Sequence, residues 1–267
     1  AEDVFYRRAT GTWEAPELGT TCTVAVVLNA PDDEKPYRKV CCVANAGDSD
    51  AAVFRFSVPE HSGQRVVLQY AQWLSKEHSL MAPDERARRV EEGGQTLAEL
   101  AGEGSHLHKL KVPIELPDGT TTAVAYEPTR GLGHGHGQFM GVIPAPSVSV
   151  TEIEDGDIIL IASDGLWNAL GGRRANGDTD SPESADVQGA VLSHLRPLLL
   201  KHRGRDPQLI ATEVMSLVRT KGFCDNTSLV VVKLTGLGPP PPRGSRSSPG
   251  KMQKFQPPLP DPAVIQI

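Results

Sequence analysis

Asp157-Ile158-Ile159-Leu160-Ile161-Ala162-Ser163-Asp164-Gly165-Leu166-Trp167 is the stretch on which the reading of this chain turns. After Asp157 the run to Ala162 is wholly aliphatic, the pattern of a strand covered on both faces. Asp164 follows almost at once, so a sheet would hold its backbone while the carboxylate emerges at the sheet's edge. Gly165 has no Cβ and lets another group or an ion come close. Asp225 stands in the mirror position, with a helix stop at Lys221-Gly222 before it and a last strand, Ser228 to Leu234, after it. Two carboxylates at strand ends form a hard-oxygen site suited to Mg2+ or Mn2+.

Outward from this stretch the chain reads as strands interspersed with helices. Thr21 to Leu28 is β-branched and apolar, as a buried strand should be. Arg38 to Asn45 and Ala51 to Phe56 are two more strands, and Ala46-Gly47-Asp48-Ser49-Asp50 between them reads as the turn of a hairpin. Pro83-Asp84-Glu85 opens a helix, with Ala87, Val90 and the stem of Arg86 on its apolar face and Gly93-Gly94 as its stop. Val112 to Leu116 and Thr121 to Tyr126 flank Pro117-Asp118-Gly119 as a second hairpin. Gly171 to Ser181 reads as a polar loop, and Ser181-Pro182 as a helix start. Asp206-Pro207 repeats that signal, and Ile210, Val214, Leu217 and Val218 give the next helix its stripe. The class is α+β, with sheets at the centre.

Composition narrows what the protein can be. Of 267 residues, 39% are hydrophobic and 22% charged, which suits one large domain or two small ones. The formal charge of -6 argues against a nucleic-acid partner, since no broad basic face is present to neutralise phosphates. No apolar run approaches a membrane span and no signal peptide opens the chain. Cys22, Cys41, Cys42 and Cys224 form no C-x-x-C pair and read as small hydrophobes in a reducing compartment. An intracellular protein, cytoplasmic or nuclear and monomeric, is expected. Beyond Thr235 the sequence turns Pro- and Ser-rich, from Gly238-Pro239-Pro240-Pro241-Pro242-Arg243 onward, so residues 236–267 are expected to be a disordered tail. Such a segment could meet a reader of Pro-rich motifs.

Several blocks, in order, resemble the metal-dependent protein serine/threonine phosphatases of the type 2C (PPM) family. They are Val43-Ala44-Asn45-Ala46-Gly47-Asp48-Ser49, Leu74-Ser75-Lys76-Glu77-His78 with Pro83-Asp84-Glu85, Thr129-Arg130-Gly131-Leu132-Gly133, and Gly141-Val142-Ile143-Pro144-Ala145-Pro146. Ile159 to Trp167 and Asp225-Asn226-Thr227-Ser228 complete the series, so the likeness runs from about Gly19 to Leu234. The resemblance implies two antiparallel sheets in a sandwich, flanked by helix pairs, with the phosphatase-like domain over residues 1–235. It implies hydrolysis of phosphoserine and phosphothreonine in proteins by a water activated at a pair of Mg2+ or Mn2+ ions. Asp164 and Asp225 match metal-ligand aspartates, and Glu77 stands where the family often has Asp before His.

The likeness also has gaps. The family's Asp-Gly-His-Gly-Gly element, whose Asp bridges both metals, is absent, as is the arginine that grips phosphate. His134 replaces the Asp usual after Leu-Gly, and Asn168 the Asp usual after Trp. With Ala1 in place of Met, a partial sequence of an active enzyme, lacking its opening strands and so leaving apolar faces uncovered, is the first expectation. A pseudophosphatase that keeps the fold for binding is the alternative.

Other chemistries fit less well. Cys41-Cys42 lie mid-strand and Asp225 beside Cys224 would raise a thiol's pKa, which disfavours a cysteine nucleophile. Gly47-Asp48-Ser49-Asp50-Ala51 nearly spells a nucleophile elbow, but a strand follows where a helix is needed. Gly131-x-Gly133-x-Gly135-x-Gly137 hints at a phosphate-cradling loop, but no helix opens after it and no Gly-Lys-Ser/Thr appears. His134 and His136 could ligate a metal, but read first as a mobile loop without function, since unrestrained ligands lose too much entropy on binding. Trp167 reads as packing, and Glu103 to Lys109 as an insertion.

Overall fold

The protein is described by a computed structural model over residues 19–31, 33–57, 66–80, 82–93, 110–115, 119–139, 141–171, 184–222 and 225–237. Expectations for the helix start at Ser181-Pro182, the loop after Gly171, Cys224, Glu103 to Lys109 and the tail fall outside these residues. In chain order the elements are β1 (Gly19–Thr20), β2 (Cys22–Asn29), β3 (Lys39–Ala46), β4 (Asp50–Phe56), β5 (Leu68–Trp73), α1 (Pro83–Gly93), β6 (Leu110–Glu115) and β7 (Thr121–Tyr126). There follow β8 (Leu132–Gly133), α2 (Gly135–Phe139), β9 (Ser147–Ile153), β10 (Ile158–Ala162), α3 (Asp164–Gly171), α4 (Ser184–His202), α5 (Pro207–Lys221) and β11 (Leu229–Lys233).

Two antiparallel sheets carry the fold, one in the order β11-β10-β4-β5 and the other β2-β3-β9. Ala51 to Phe54 of β4 and the whole of β10 are apolar because both of their faces are covered. Ala51, Val53 and Ile159 face the other sheet and meet Cys41, Val43 and Ile153. Ala52, Phe54, Ile158, Leu160 and Ala162 point the opposite way, onto Leu166 and Leu170 of α3, Leu195 and Leu199 of α4, and Ile210 and Val214 of α5. This is the expected α+β sandwich, with α4 and α5 paired against the four-stranded sheet. Trp167 is packing, as expected: its ring meets Trp73 edge-on at 4.8 Å and its Nε1 donates to the Ala162 carbonyl.

The outer face of the three-stranded sheet is different. The register aligns Val24, Ala44 and Val148, and then Val26, Cys42 and Val150, across β2, β3 and β9. Val26 is 45% exposed and Val150 64%, so among the described residues nothing covers this apolar face.

Thr21 to Leu28 forms a strand as expected but not a buried one, since Val24, Val26, Val27 and Leu28 are 43–48% exposed; three further expectations fail. The segment Lys39 to Phe56 is not a hairpin, because β3 pairs with β2 and β9 while β4 pairs with β10 and β5. The chain crosses from one sheet to the other at Gly47-Asp48-Ser49, and consecutive strands stack face to face. A return crossing at Glu154–Asp157, between β9 and β10, lies at the opposite end of the strands. There Arg55 holds the Asp157 carboxylate with two bonds of 3.0 and 2.8 Å and also reaches Glu154 and the Glu152 carbonyl. Second, the Gly-His stretch is not a loop throughout, since Gly135–Phe139 closes one short helix on the Gln138 N–H to His134 carbonyl bond.

The third concerns α1. Ala87 is exposed and Val90 is 37% exposed, whereas Glu85 and Arg89 are 2% and 1% exposed. The buried face is charged because its partners are. Glu85 accepts from Thr129 Oγ1 at 2.7 Å, from Arg88 at 2.9 Å and from Arg130 Nε at 2.9 Å. Burial alone would raise the Glu85 pKa, but the bonds from Arg130, Thr129 and Arg88 hold it down at about 2. Arg89 lies against Gly141, where a Cβ would sit 1.5 Å from its Nη1. Removing Glu85 strands these cations, so Glu85→Ala is predicted to cost about 3–5 kcal/mol in urea unfolding at neutral pH. A pKa depressed from 4.5 to about 2 gives stability that is full above the upper value and lost as pH falls through the lower, so the gap to wild type closes on acidification.

Candidate metal centre

The strand register decides which loops meet. Asp50 pairs with Ala162, and Ala162 with Leu229, so the ends of β4 and β10 and the start of β11 lie together. Ala52 pairs with Trp73, which brings the end of β5 to the same edge. Asp48 before β4, Glu77 after β5, Asp164 after β10 and Asp225 before β11 are therefore all delivered to one end of the four-stranded sheet.

Asp164 is the first residue of α3, where a negative charge meets the positive end of the helix. Asn168, one turn on, donates from Nδ2 to Asp164 Oδ2 at 3.3 Å. The loop bearing Asp225 docks beside it. Ser163 Oγ donates to the Asn226 carbonyl and accepts the Ser228 N–H, and Ser163 N–H donates to the Ser228 carbonyl. Gly165 makes this approach possible, because a Cβ there would stand 2.5 Å from the Asn226 oxygen. Asp225 itself is exposed, and its Oδ1 accepts the Asn226 N–H at 2.6 Å.

Asp48 is the residue that the sequence reading left inside a motif without a role. The residue as a whole is half-buried, but its carboxyl is largely withdrawn from water and its pKa is pushed up to about 7. Burial is the largest cause, the charge of Asp164 the next, and Glu127 and Glu77 add to it. Glu77 thus acts on the same carboxyl as Asp164, while its own Oε1 accepts from Ser79 Oγ at 2.5 Å. The signal that could have found Asp48 was its place in a three-residue crossing at the end that also carries Asp164.

The turn around Asp48 is held from both sides. Gly47 has φ of 129°, and a Cβ there would lie 2.3 Å from Thr21 Cγ2. Its N–H donates to His78 Nδ1 at 3.2 Å, and its carbonyl accepts from His78 N–H and from Asn45 Nδ2, each at 3.0 Å. On the far side the Ser49 carbonyl lies 2.8 Å from Thr23 Oγ1, and Ser49 Oγ 3.0 Å from Thr21 Oγ1. Burial, helped by Arg130, pushes the His78 pKa down to about 4.

These groups fit a hard divalent cation in chemistry: oxygen donors only, crowded enough to lift the pKa of one carboxyl to about 7. Among the described residues, no three ligating side chains stand together as a complete metal group. His134 takes no part. Its ring is packed between Gly19 and Gly131 and edge-on to Tyr126 at 5.1 Å, with burial lowering its pKa. Cys41 is fully buried and free, as a small hydrophobe would be.

A family model described as protein phosphatase 2C matches residues 1–227. The chain is 29% identical over 225 residues to mouse (Mus musculus) "Probable protein phosphatase 1N", covering 84% of this chain and 43% of that protein. It is 28% identical over 238 residues to "Protein phosphatase 2C 77" of Arabidopsis thaliana, covering 84% of this chain and 45% of that protein. The chain therefore spans less than half the length of these curated relatives. Among solved structures, a serine-threonine phosphatase 2C from Toxoplasma gondii aligns with a TM-score of 0.48 at 12% identity, over 86% of this chain and 62% of that one.

A carboxyl whose folded pKa of about 7 exceeds the ordinary 3.8 favours folding while protonated, and that advantage is lost as pH rises through the folded value. Asp48→Asn is therefore predicted to match wild type in thermal stability below about pH 4 and to exceed it increasingly up to about pH 7, with chelator present. A stability difference that is independent of pH would contradict the assignment.

Proposed function

Because the chain belongs to the protein phosphatase 2C family, we propose that it carries out, as a whole or as part of a longer protein, metal-dependent hydrolysis of phosphoserine and phosphothreonine in proteins. The observation that carries the reading is the delivery of Asp48, Glu77, Asp164 and the Asp225 loop to one end of the four-stranded sheet. Asp164, Asp225 and Glu77 are the residues we assign to Mg2+ or Mn2+, with Asp48 beside Asp164. A pair of such ions would polarise the phosphoryl group and lower the pKa of a bound water. The chain's own part is positional. The Asn168 amide orients one oxygen of Asp164, and Gly165 leaves room for the Asp225 loop to approach it. A cation held beside Asp48 would compete with its proton, so binding would be favoured as pH rises through about 7.

Residues 1–235 are taken as the phosphatase-like domain, and residues 236–267 as a Pro/Ser-rich tail open to a reader of Pro-rich motifs. No described helix is long and apolar enough to cross a membrane. A reducing intracellular compartment is part of the same proposal, since Cys22, Cys41 and Cys42 are free. A second reading, binding without turnover, draws on Asn168 in place of an acid and on the lack of a complete metal group among the described residues.

The deciding measurement is Mn2+-dependent release of phosphate from a phosphothreonine peptide, with Mn2+ binding followed in parallel by calorimetry. The predicted result is hydrolysis that chelator abolishes and that Asp164→Ala lowers about 100- to 1,000-fold. Mn2+ binding with no hydrolysis would favour the binding module instead. Absence of Mn2+ binding would remove both the site and the enzyme reading.

A further inference from the structure

We propose that His78 is a positioning residue, clamping the Gly47 turn so that Asp48 is presented to Asp164 in a cation-binding arrangement. This rests on the reading of that end of the sheet as a cation site, and it assigns a task to a side chain that would touch neither metal nor substrate.

His78 is 2% exposed and follows Glu77 in the segment after β5. It grips one residue twice. The Gly47 N–H donates to its Nδ1 at 3.2 Å, and its own N–H donates to the Gly47 carbonyl at 3.0 Å. Since Nδ1 accepts, it carries no proton, and in the neutral ring the proton lies on Nε2. Nε2 is buried and has no partner among the described residues. A buried donor left without an acceptor disfavours folding, so packing alone does not explain a histidine here. A phenylalanine or leucine would fill the space without that cost. What histidine adds is the acceptor for Gly47.

Gly47 needs an outside acceptor because of where it stands. It lies in the crossing between two sheets, so its N–H has no ladder partner, and an unpaired buried N–H is costly. Asn45 completes the hold. Its side chain is fully buried and donates both to the Gly47 carbonyl and to the Lys76 carbonyl at 2.8 Å. Both polar backbone groups of Gly47 are thus held by side or main chain outside the turn. Thr21 and Thr23 hold Ser49 on the other side. Asp48 lies between two restrained neighbours, which is how a carboxylate keeps its bearing on a partner far away in sequence. Groups that orient metal ligands in this manner typically change metal affinity or activity about 10- to 100-fold when lost.

The test uses the full 267-residue chain and three replacements, His78→Asn, His78→Gln and His78→Phe. The Asn carbonyl oxygen can stand near the place of Nδ1, while Gln reaches toward that of Nε2 and Phe offers no acceptor. Mn2+ affinity is measured by calorimetry, folding by circular dichroism, and Gly47 amide exchange by NMR in the cation-free protein. The clamp predicts that His78→Asn keeps Mn2+ affinity within about threefold and keeps Gly47 protected, whereas Gln and Phe lose about 10- to 100-fold and expose Gly47. Should the Phe variant fail to fold, the comparison of Asn with Gln decides.

Wild-type affinity in folded Gln and Phe variants would overturn the positioning role while leaving the cation site intact. So would an Asn variant as weak as Phe. If wild type binds no Mn2+ although Gly47 is protected, the site reading itself fails and the positioning role falls with it. The Gly47 amide separates these outcomes because it reads the clamp without any metal.

Discussion

The crossing at Gly47-Asp48-Ser49 is the constraint on which the rest of this structure depends. A hairpin would have set β3 and β4 side by side in one sheet. The crossing stacks them instead, so that Cys41 and Val43 face Ala51 and Val53 across the interior of the sandwich. The return at Glu154–Asp157 does the same at the other end and is fastened by Arg55 on Asp157. With both ends fixed, β4 and β10 become central strands covered on both faces, and the register brings Asp48, Glu77, Asp164 and Asp225 to one edge.

Two charged clusters in the same domain show how partners decide what a buried carboxylate does. Glu85 and Asp48 are both desolvated, yet the pKa of Glu85 falls to about 2 while that of Asp48 rises to about 7. Glu85 has Arg88, Arg130 and Thr129 around it, so its charge is fully used in holding α1 against the segment at Thr129-Arg130. Asp48 has Asp164, Glu127 and Glu77 as its charged neighbours. The first arrangement is finished without any ion; the second holds negative charge that a divalent cation would relieve.

Much of this was legible in the sequence. The aliphatic run before Asp164 could only be a strand covered on both faces, and Gly165 pointed to close approach, which the Asn226 carbonyl supplies. Asp206-Pro207 opened α5 as read, and Ile210, Val214 and Val218 are its buried stripe. Other features were hidden for physical reasons. A turn that pairs strands and a turn that passes between sheets use the same Gly and Asp, so the crossing read as a hairpin. The polar face of α1 is its buried face, because its partners are Thr129 and Arg130, and no local pattern reports that. Strands β5 and β9 went unread, the first because Leu68–Trp73 carries weak alternation.

Strand β9 alternates clearly, but in the opposite sense to the usual rule. Its valines, Val148 and Val150, face outward, and Ser147, Ser149 and Thr151 face inward opposite Asn45, Val43 and Cys41. Hydrophobic pattern alone would turn this strand over. Ser147 and Ser149 lie toward the crossing, beside a polar set of Thr23, Asn45, Asp50 and Ser75 that bond to one another or to backbone there. Ser149 Oγ donates to the Leu74 carbonyl within that set. Between the two crossings the interior is apolar, and beside this one it is hydrogen-bonded, because a turn that must hold Asp48 needs directional bonds more than it needs buried carbon. That gradient inside one sandwich explains both why β9 defies the alternation rule and why Asn45 and His78 are buried at the edge where the carboxylates gather.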